Sequence, residues 1–299
     1  GEQNSTLLDM TDYNGIVDYE PTELVITARA GTRLADLEAE LDRHGQMLAF
    51  EPPYFGSAAT LGGCVAAGLS GPRRASAGSV RDFVLGVRLL NGKGEDLHFG
   101  GQVMKNVAGY DVSRLMAGSM GTLGVLLEVS LKVLPKPAIE TTLCMAMDEA
   151  AAIEKMNQWA GKPLPVSATC YTDGQLFVRL SGAEPAVRAA QVKLGGETLA
   201  DDKIFWRSVR EHTHGFFQPG KPLWRLSIKS TTPPLLLTGK QLLEWNGGLR
   251  WLSTDGGEDT EAIRAAAKEA GGHATLFRHN KSGISVFHPL PSGMMKIHR

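Results

Sequence analysis

Three cysteines in 299 residues, Cys64, Cys144 and Cys170, lie far apart and form no Cys-x-x-Cys pair. That spacing encodes no disulfide framework, zinc ribbon or iron–sulfur cluster, and a reducing cytoplasm is the expected compartment. Long hydrophobic runs are also missing: none approaches the ~20 residues that span a bilayer. The polar first residues are not a signal peptide, so any membrane association is expected to run through a partner. Charge of one sign is absent as well. With 31 basic and 32 acidic residues the net charge is -1, which gives no pull toward nucleic acid or anionic lipid. The composition, 42% hydrophobic and 21% charged, is that of an ordinary soluble protein. At ~100–150 residues per domain, the length accommodates two.

What the chain does have is glycine in two blocks. Ala59-Thr-Leu-Gly-Gly-Cys-Val-Ala-Ala-Gly-Leu-Ser-Gly71 places Gly62, Gly63, Gly68 and Gly71 among small residues, and Gly118-Ser-Met-Gly-Thr-Leu-Gly124 repeats the device before a strand. Backbone without Cβ can approach a bulky ligand or take turns closed to other residues. Tight turns and close packing use the same residues, so neither block alone decides.

Around the blocks the periodicities give alternating elements. Residues 22–31 read as a strand. Leu34, Leu37 and Leu41 predict a helix over 32–44 with Thr32 as N-cap and Gly45 past its end. Residues 84–90 and 95–99 read as a hairpin around Asn91-Gly-Lys-Gly, residues 113–116 as a short helix and 124–134 as a strand. Pro135 and Pro137 close that strand and set the expected boundary between domains 1–135 and 136–299. Beyond it, strand 140–146, helix 148–160 capped by Asp148, hairpin 167–180 around Asp173-Gly174 and helix 184–194 form one cycle. Strands at 224–228, 249–252 and 273–277, with helix 260–270, suggest a second. Two such cycles point to a duplicated ferredoxin-like sheet.

The order of Ala59–Gly63, Gly78-Ser-Val-Arg-Asp-Phe-Val-Leu-Gly86, Lys105-Asn-Val-Ala-Gly-Tyr-Asp111 and Gly118–Gly124 resembles the FAD-binding domain of PCMH-type flavoproteins of the vanillyl-alcohol oxidase superfamily, in particular the 2-hydroxyacid dehydrogenases. Through Tyr19–Gly31, Gly68-Leu-Ser-Gly-Pro-Arg-Arg74 and Val103–Leu115, the chain is most similar to the smaller FAD-domain subunits of bacterial glycolate oxidases. The resemblance implies an α+β fold: a PCMH-type FAD-binding domain followed by a ferredoxin-like cap domain. It implies FAD as cofactor, and a complex with a larger flavoprotein subunit and an iron–sulfur subunit that oxidises glycolate or D-lactate to the 2-oxo acid. The glycine-rich pyrophosphate loop expected ahead of Val25–Ala30 and the closing Asn-Pro-Gly segment are not in the sequence. Both ends are therefore expected to be truncated relative to that family.

The cofactor-binding residues so implied are Pro53, Ala59, Thr60, Gly62, Gly63, Gly68, Gly71, Gly78, Arg81, Asp82, Gly121, Gly124 and Val125. Amides near Thr60–Gly63 are expected at the flavin ring or diphosphate, and Gly121–Val125 at the adenine or ribose. Each has a structural alternative: a turn for Gly62 and Gly63, helix packing for Gly68 and Gly71, a surface ion pair for Arg81 and Asp82. Many relatives carry Glu where this chain has Met120. Lys105 is read as a solvated loop lysine with electrostatic support of a reduced flavin as the rival role, Asp111 as a helix cap, and Cys64 as a buried filler rather than a covalent flavin anchor. His212, His214 and His273 match no histidine constellation of the catalytic relatives and are expected at surface or capping positions. Arg207, Arg210, Arg225 and Arg250 are candidate carboxylate ligands whose convergence the sequence leaves open. No catalytic residue, no metal site and no nucleic-acid partner is assigned. A non-catalytic assembly or electron-relay subunit, and a stand-alone FAD-linked 2-hydroxyacid dehydrogenase, remain the alternative readings.

Overall fold

Apolar and β-branched runs in the first part of the chain build one sheet, and those in the second build another. A computed structural model describes residues 8–101, 110–257, 259–278, 285–290 and 292–297. The chain divides into two units, Gly1–Lys136 and Pro137–Arg299.

The first unit runs β1 (Ile16–Glu20), β2 (Val25–Arg29), α1 (Leu34–Arg43), β3 (Gln46–Met47), α2 (Leu61–Ala67), α3 (Arg74–Ala77), α4 (Val80–Phe83), β4 (Val84–Leu90), β5 (Asp96–Gly100), α5 (Val112–Leu115), β6 (Val125–Lys132) and β7 (Leu134–Pro135). Five strands form an antiparallel sheet in the order β1-β2-β6-β4-β5, while β3 and β7 pair separately. Leu34, Leu37 and Leu41 give α1 its apolar stripe and are fully buried in the same core as Ile26, Val129 and Leu131. Each such burial stabilises by ~1.5–3 kcal/mol. The helix starts one residue later than its leucine spacing suggests. Arg33 bridges Thr60 in extended conformation and becomes the N-cap. Thr32 does not cap; its Oγ1 accepts the Gly15 N–H at 2.9 Å and donates to the Gly15 carbonyl at 3.2 Å.

The second unit runs β8 (Ile139–Ala146), α6 (Glu149–Ala160), β9 (Val166–Thr172), β10 (Gln175–Gly182), α7 (Glu184–Leu194), β11 (Glu197–Thr198), α8 (Asp202–Arg210), β12 (Leu223–Ser227), β13 (Lys240–Glu244), β14 (Leu249–Ser253), α9 (Thr260–Glu269) and β15 (His273–Arg278). Its sheet is continuous, in the order β11-β8-β10-β9-β13-β14-β12-β15. Within each half the strands lie fourth, first, third, second by chain order, the arrangement of a ferredoxin-like unit. The halves join where Leu243 and Glu244 of β13 pair with Tyr171 and Cys170 of β9. In the second half, residues 228–239 stand where the first half has α6. α6 and α7 cover one face around Leu143, Leu176 and Val178, and α9 packs against Trp224, Leu226 and Leu252. The opposite face carries Trp206 of α8 with Phe217, Trp245 and Trp251.

Arg250, on β14, is fully buried and works as a staple. Its guanidinium donates to the carbonyls of Thr232 and Pro233, the latter at 2.8 Å, and lies 3.7 Å from Glu149. At the start of α6 the Asp148 carboxylate accepts the Ala151 N–H at 2.8 Å. Asp148→Ala should therefore lower stability by ~1 kcal/mol, the usual cost of a lost N-cap. Urea unfolding followed by tryptophan fluorescence reads this directly, because all five tryptophans lie in the second unit.

Candidate functional site

The first glycine block folds as helix α2 with a structured approach. Leu34 N–H bonds the Ala59 carbonyl at 2.9 Å, Leu61 N–H the Thr32 carbonyl at 2.8 Å and Gly62 N–H the Ala30 carbonyl at 2.8 Å. Thr60 caps the helix, its Oγ1 accepting the Gly63 N–H at 3.2 Å. The Leu61 and Gly62 amides, expected at a ligand, are thus spent inside the unit because Arg33 and Thr60 form a bridge there. Gly63 is the member of this run that faces solvent.

α2 ends at Gly68, whose φ of +68° is left-handed. The second glycine block docks at that end: Gly118 N–H bonds the Val65 carbonyl at 2.9 Å and Met120 N–H the Ala66 carbonyl at 2.9 Å. A Cβ on Gly68 would stand 2.8 Å from Gly118 Cα. The two blocks, distant in sequence, therefore form one continuous piece of backbone. Between its glycines, the buried Ser119 hydroxyl makes no hydrogen bond among the described residues. Such a group costs ~1–3 kcal/mol when left unpaired and is open to a polar atom of a ligand or to water. Gly118 and Gly121 are exposed, and Met120 and Leu123 beside them are exposed at 61% and 47%. Phe55, in the loop leading to the first block, is exposed at 45%. Bare backbone, an unsatisfied hydroxyl and uncovered apolar side chains suit a large, flat ligand with polar substituents, so these residues fit FAD.

The other expected site residues divide. Gly62, Gly71 and Gly124 sit where a Cβ would collide with Ala30, Glu51 and the Leu90 carbonyl, so packing alone explains them. Val125 opens β6 opposite Leu90, Ala59 is half-buried before the cap, and Pro53 is half-buried in the preceding loop. Gly78 lies against Asp82, whose carboxylate accepts both the N–H and the Oγ of Ser79 at 2.8 Å. Burial opposes ionisation of Asp82, yet the Ser79 bonds and the charges of Arg114 and Arg74 hold its carboxyl below the usual range. Asp82 is thus the capping group of α4, and Arg81 beside it is exposed. Asp111 caps α5, accepting the Arg114 N–H at 3.1 Å. Burial, then the Glu38 charge, pushes the Cys64 thiol up to about 12, which keeps it protonated and inert. Lys105 lies outside the described residues.

In the second unit one histidine departs from expectation. His212 is not at the surface. Its ring stacks on Phe217 at 4.0 Å and meets Trp251 edge-on at 4.5 Å, and burial, with the charges of Arg278 and Arg225, lowers its pKa to about 3. His214 accepts the Phe216 N–H at 3.3 Å, and His273 is exposed on β15. Of the four arginines, Arg250 is the staple described above, Arg210 pairs with Glu211 at 2.7 Å, Arg207 is exposed and Arg225 lies over the Trp245 ring at 5.2 Å. Ser119 carries no signal in the sequence beyond its place among glycines.

Residues 1–100 match the family model described as FAD binding domain. The chain is 50% identical to "Glycolate oxidase subunit GlcE" of Escherichia coli (strain K12), over 98% of this chain and 81% of that protein. It is 34% identical to a D-lactate dehydrogenase of Anaerostipes hadrus, over 44% of this chain and 27% of that one. Among solved structures, an alkyldihydroxyacetonephosphate synthase shares the fold with a TM-score of 0.61 at 15% identity, covering 88% of this chain and 62% of that chain. With half its residues identical along nearly its whole length, the chain belongs to the glycolate oxidase subunit GlcE family, a group of FAD-dependent oxidoreductases.

Proposed function

We propose that this chain is the FAD-binding subunit of a glycolate oxidase complex, partnered by a larger flavoprotein subunit and an iron–sulfur subunit in the cytoplasm. The observation that carries the reading is the joined pair of glycine blocks around the Ser119 hydroxyl, which no described residue satisfies. The redox chemistry, hydride removal from a 2-hydroxy acid such as glycolate or D-lactate, would be supplied by FAD once bound. The chain's own residues bind and orient it. Gly63, Gly118 and Gly121 let backbone lie close to the cofactor, Ser119 offers it a hydrogen bond, and Phe55, Met120 and Leu123 cover its apolar surface. Thr60, Gly62, Gly68, Gly71, Gly78, Asp82, Gly124 and Val125 hold that surface in shape through the packing and bonds described above. Pro53, Ala59 and Arg81 border it.

The test is the visible spectrum of the subunit, alone and with its partners, before and after anaerobic glycolate. Flavin carried by the subunit, and bleaching in the complex, is the expected result. Bleaching by the subunit alone would make it a self-sufficient dehydrogenase. Absence of flavin from the subunit in both preparations would overturn the reading.

A further inference from the structure

Residues 51–60, Glu-Pro-Pro-Tyr-Phe-Gly-Ser-Ala-Ala-Thr, form a loop tied to helix α2 at both ends. Past the C-terminal end of α2, the Gly71 N–H bonds the Phe50 carbonyl at 2.9 Å. The Glu51 carboxylate accepts the Arg73 N–H at 2.9 Å and stands 3.4 Å from Arg73 Nε. The approach is close: a Cβ on Gly71 would lie 2.2 Å from the Glu51 carbonyl oxygen, and Arg73 is buried. At the other end Thr60 caps α2 and bridges Arg33. Between these ties the Tyr54 hydroxyl donates to Glu38 of α1. A helix as short as α2 is ~10 Å long, so Phe55, midway along the loop, stays near it. The exposed Gly63 of α2 and the Gly118–Met120 turn docked on its end belong to the candidate cofactor surface.

The same loop is strained. Glu51, Phe55 and Gly56 take left-handed φ of +48°, +51° and +141°. Two of them carry a Cβ, and Pro52 and Pro53 beside Glu51 fix their own φ. Strain of this kind persists only where the surroundings over-determine it, and it gathers where a structure holds a site in shape. Core packing does not demand it here, because residues 55–58 are all exposed and Phe55 is the large side chain among them. A buried ion pair, a tyrosine anchor and two prolines thus hold still a segment that ends in an exposed ring. Fixing a side chain before binding spares the ordering entropy that a ligand would otherwise have to overcome.

We propose that residues 51–56 are a pre-set pedestal from which the Phe55 ring stacks on a flat ring of the cofactor, and that Glu51, acting through Arg73, is the positioning residue that fixes where that ring stands. The identity of the cofactor rests on the function proposed above; the pedestal rests on the ties and the left-handed backbone of the loop.

The experiment titrates FAD into the full chain freed of flavin, followed by flavin fluorescence and by the circular dichroism of the flavin bands. Phe55→Ala should weaken FAD roughly tenfold, the scale of one lost aromatic stack, and reduce the induced dichroism. Its thermal midpoint should be that of the parent, and Phe55→Tyr should restore both readouts. Glu51→Gln, which keeps the shape and loses the charge, should weaken FAD in the parent and have little further effect in Phe55→Ala, because both act through one ring. If Glu51→Gln does not fold, Arg73→Lys, which keeps the charge without the fork, takes its place in the cycle. A purely structural Glu51 would add its effect in full to that of Phe55→Ala, and that additive result would overturn its positioning role. Parental affinity and dichroism in Phe55→Ala would overturn the pedestal and leave the functional reading standing. A parent that takes up no FAD would instead remove the functional reading itself, and the stack with it.

Discussion

Valine in place of Gly68 strips the complex of this subunit's flavin. Position 68 has a φ of +68°, and a Cβ there would stand 2.8 Å from Gly118 Cα and 3.0 Å from Gly118 N. Both obstacles are backbone, so no side chain can turn away to relieve the clash. The left-handed conformation adds ~1–2 kcal/mol for a residue with a Cβ, and β-branching makes valine a poor occupant. The second block must then retreat from α2, breaking the bonds from Gly118 to Val65 and from Met120 to Ala66. Flavin absorbance per chain, measured on the purified complex, should fall to background. Gly92→Ala, where nothing lies within 4 Å and φ is ordinary, is the matched control and should keep full flavin.

Because Gly68→Val disturbs packing, Ser119→Ala is its companion. The hydroxyl has no partner among the described residues, so its removal leaves folding unharmed. Flavin affinity should weaken roughly tenfold, the value of a hydrogen bond of ~1.4 kcal/mol. Full flavin retention in Gly68→Val would refute the joined-block site. Unchanged affinity in Ser119→Ala would remove Ser119 from it and leave the glycines acting through shape.

Local signals explain what was legible in the sequence. Helix α7, the Asp148 cap and the Asp173-Gly174 hairpin each rest on residues within a few positions of one another, and each forms as its periodicity or turn chemistry predicts. β13 does not. Lys-Gln-Leu-Leu-Glu contains good helix formers, and it is a strand because β9 and β14 pair with it from both sides. That is tertiary context overriding propensity. α8 has only a short signal, the buried pair Trp206 and Val209 at helical spacing.

The site divides in the same way. The glycine blocks stand out as composition, yet their meeting at Gly68 and Gly118 is a long-range contact. Which amides are left for a ligand depends on the Arg33–Thr60 bridge, and whether Ser119 is satisfied depends on burial. No spacing rule in the chain expresses any of these.

His212 makes the second unit acid-labile well above the range where carboxylates matter. Its pKa is lowered from 6.5 to about 3, first by burial and then by Arg278 and Arg225. The folded state thus holds the neutral ring, while the unfolded chain takes up a proton near pH 6.5. Stability from this depressed pKa is complete above that value and is lost as pH falls toward the folded pKa. Linkage puts the loss at pH 5 at about 2 kcal/mol, rising to about 5 kcal/mol below pH 3. His214 and His273 are shifted the same way, both by burial first, and steepen the fall. The carboxylates of Asp82, Asp96 and Asp255 are lowered from 3.8 and act only at more acid pH, while Glu149, raised by burial against the pull of Arg250, takes up its proton first in the folded state and works against the histidines.

Urea midpoints read by tryptophan fluorescence, which sees only the second unit, should drop from pH 7 to 5. His212→Asn keeps a residue that tolerates left-handed φ and removes the titrating ring. It should be less stable at pH 7, because the stack on Phe217 and the edge contact with Trp251 are gone, but should lose most of the slope. A parent protein equally stable at pH 7 and 5, or a variant that keeps the parent's slope, would show that His212 is solvated and titrates normally.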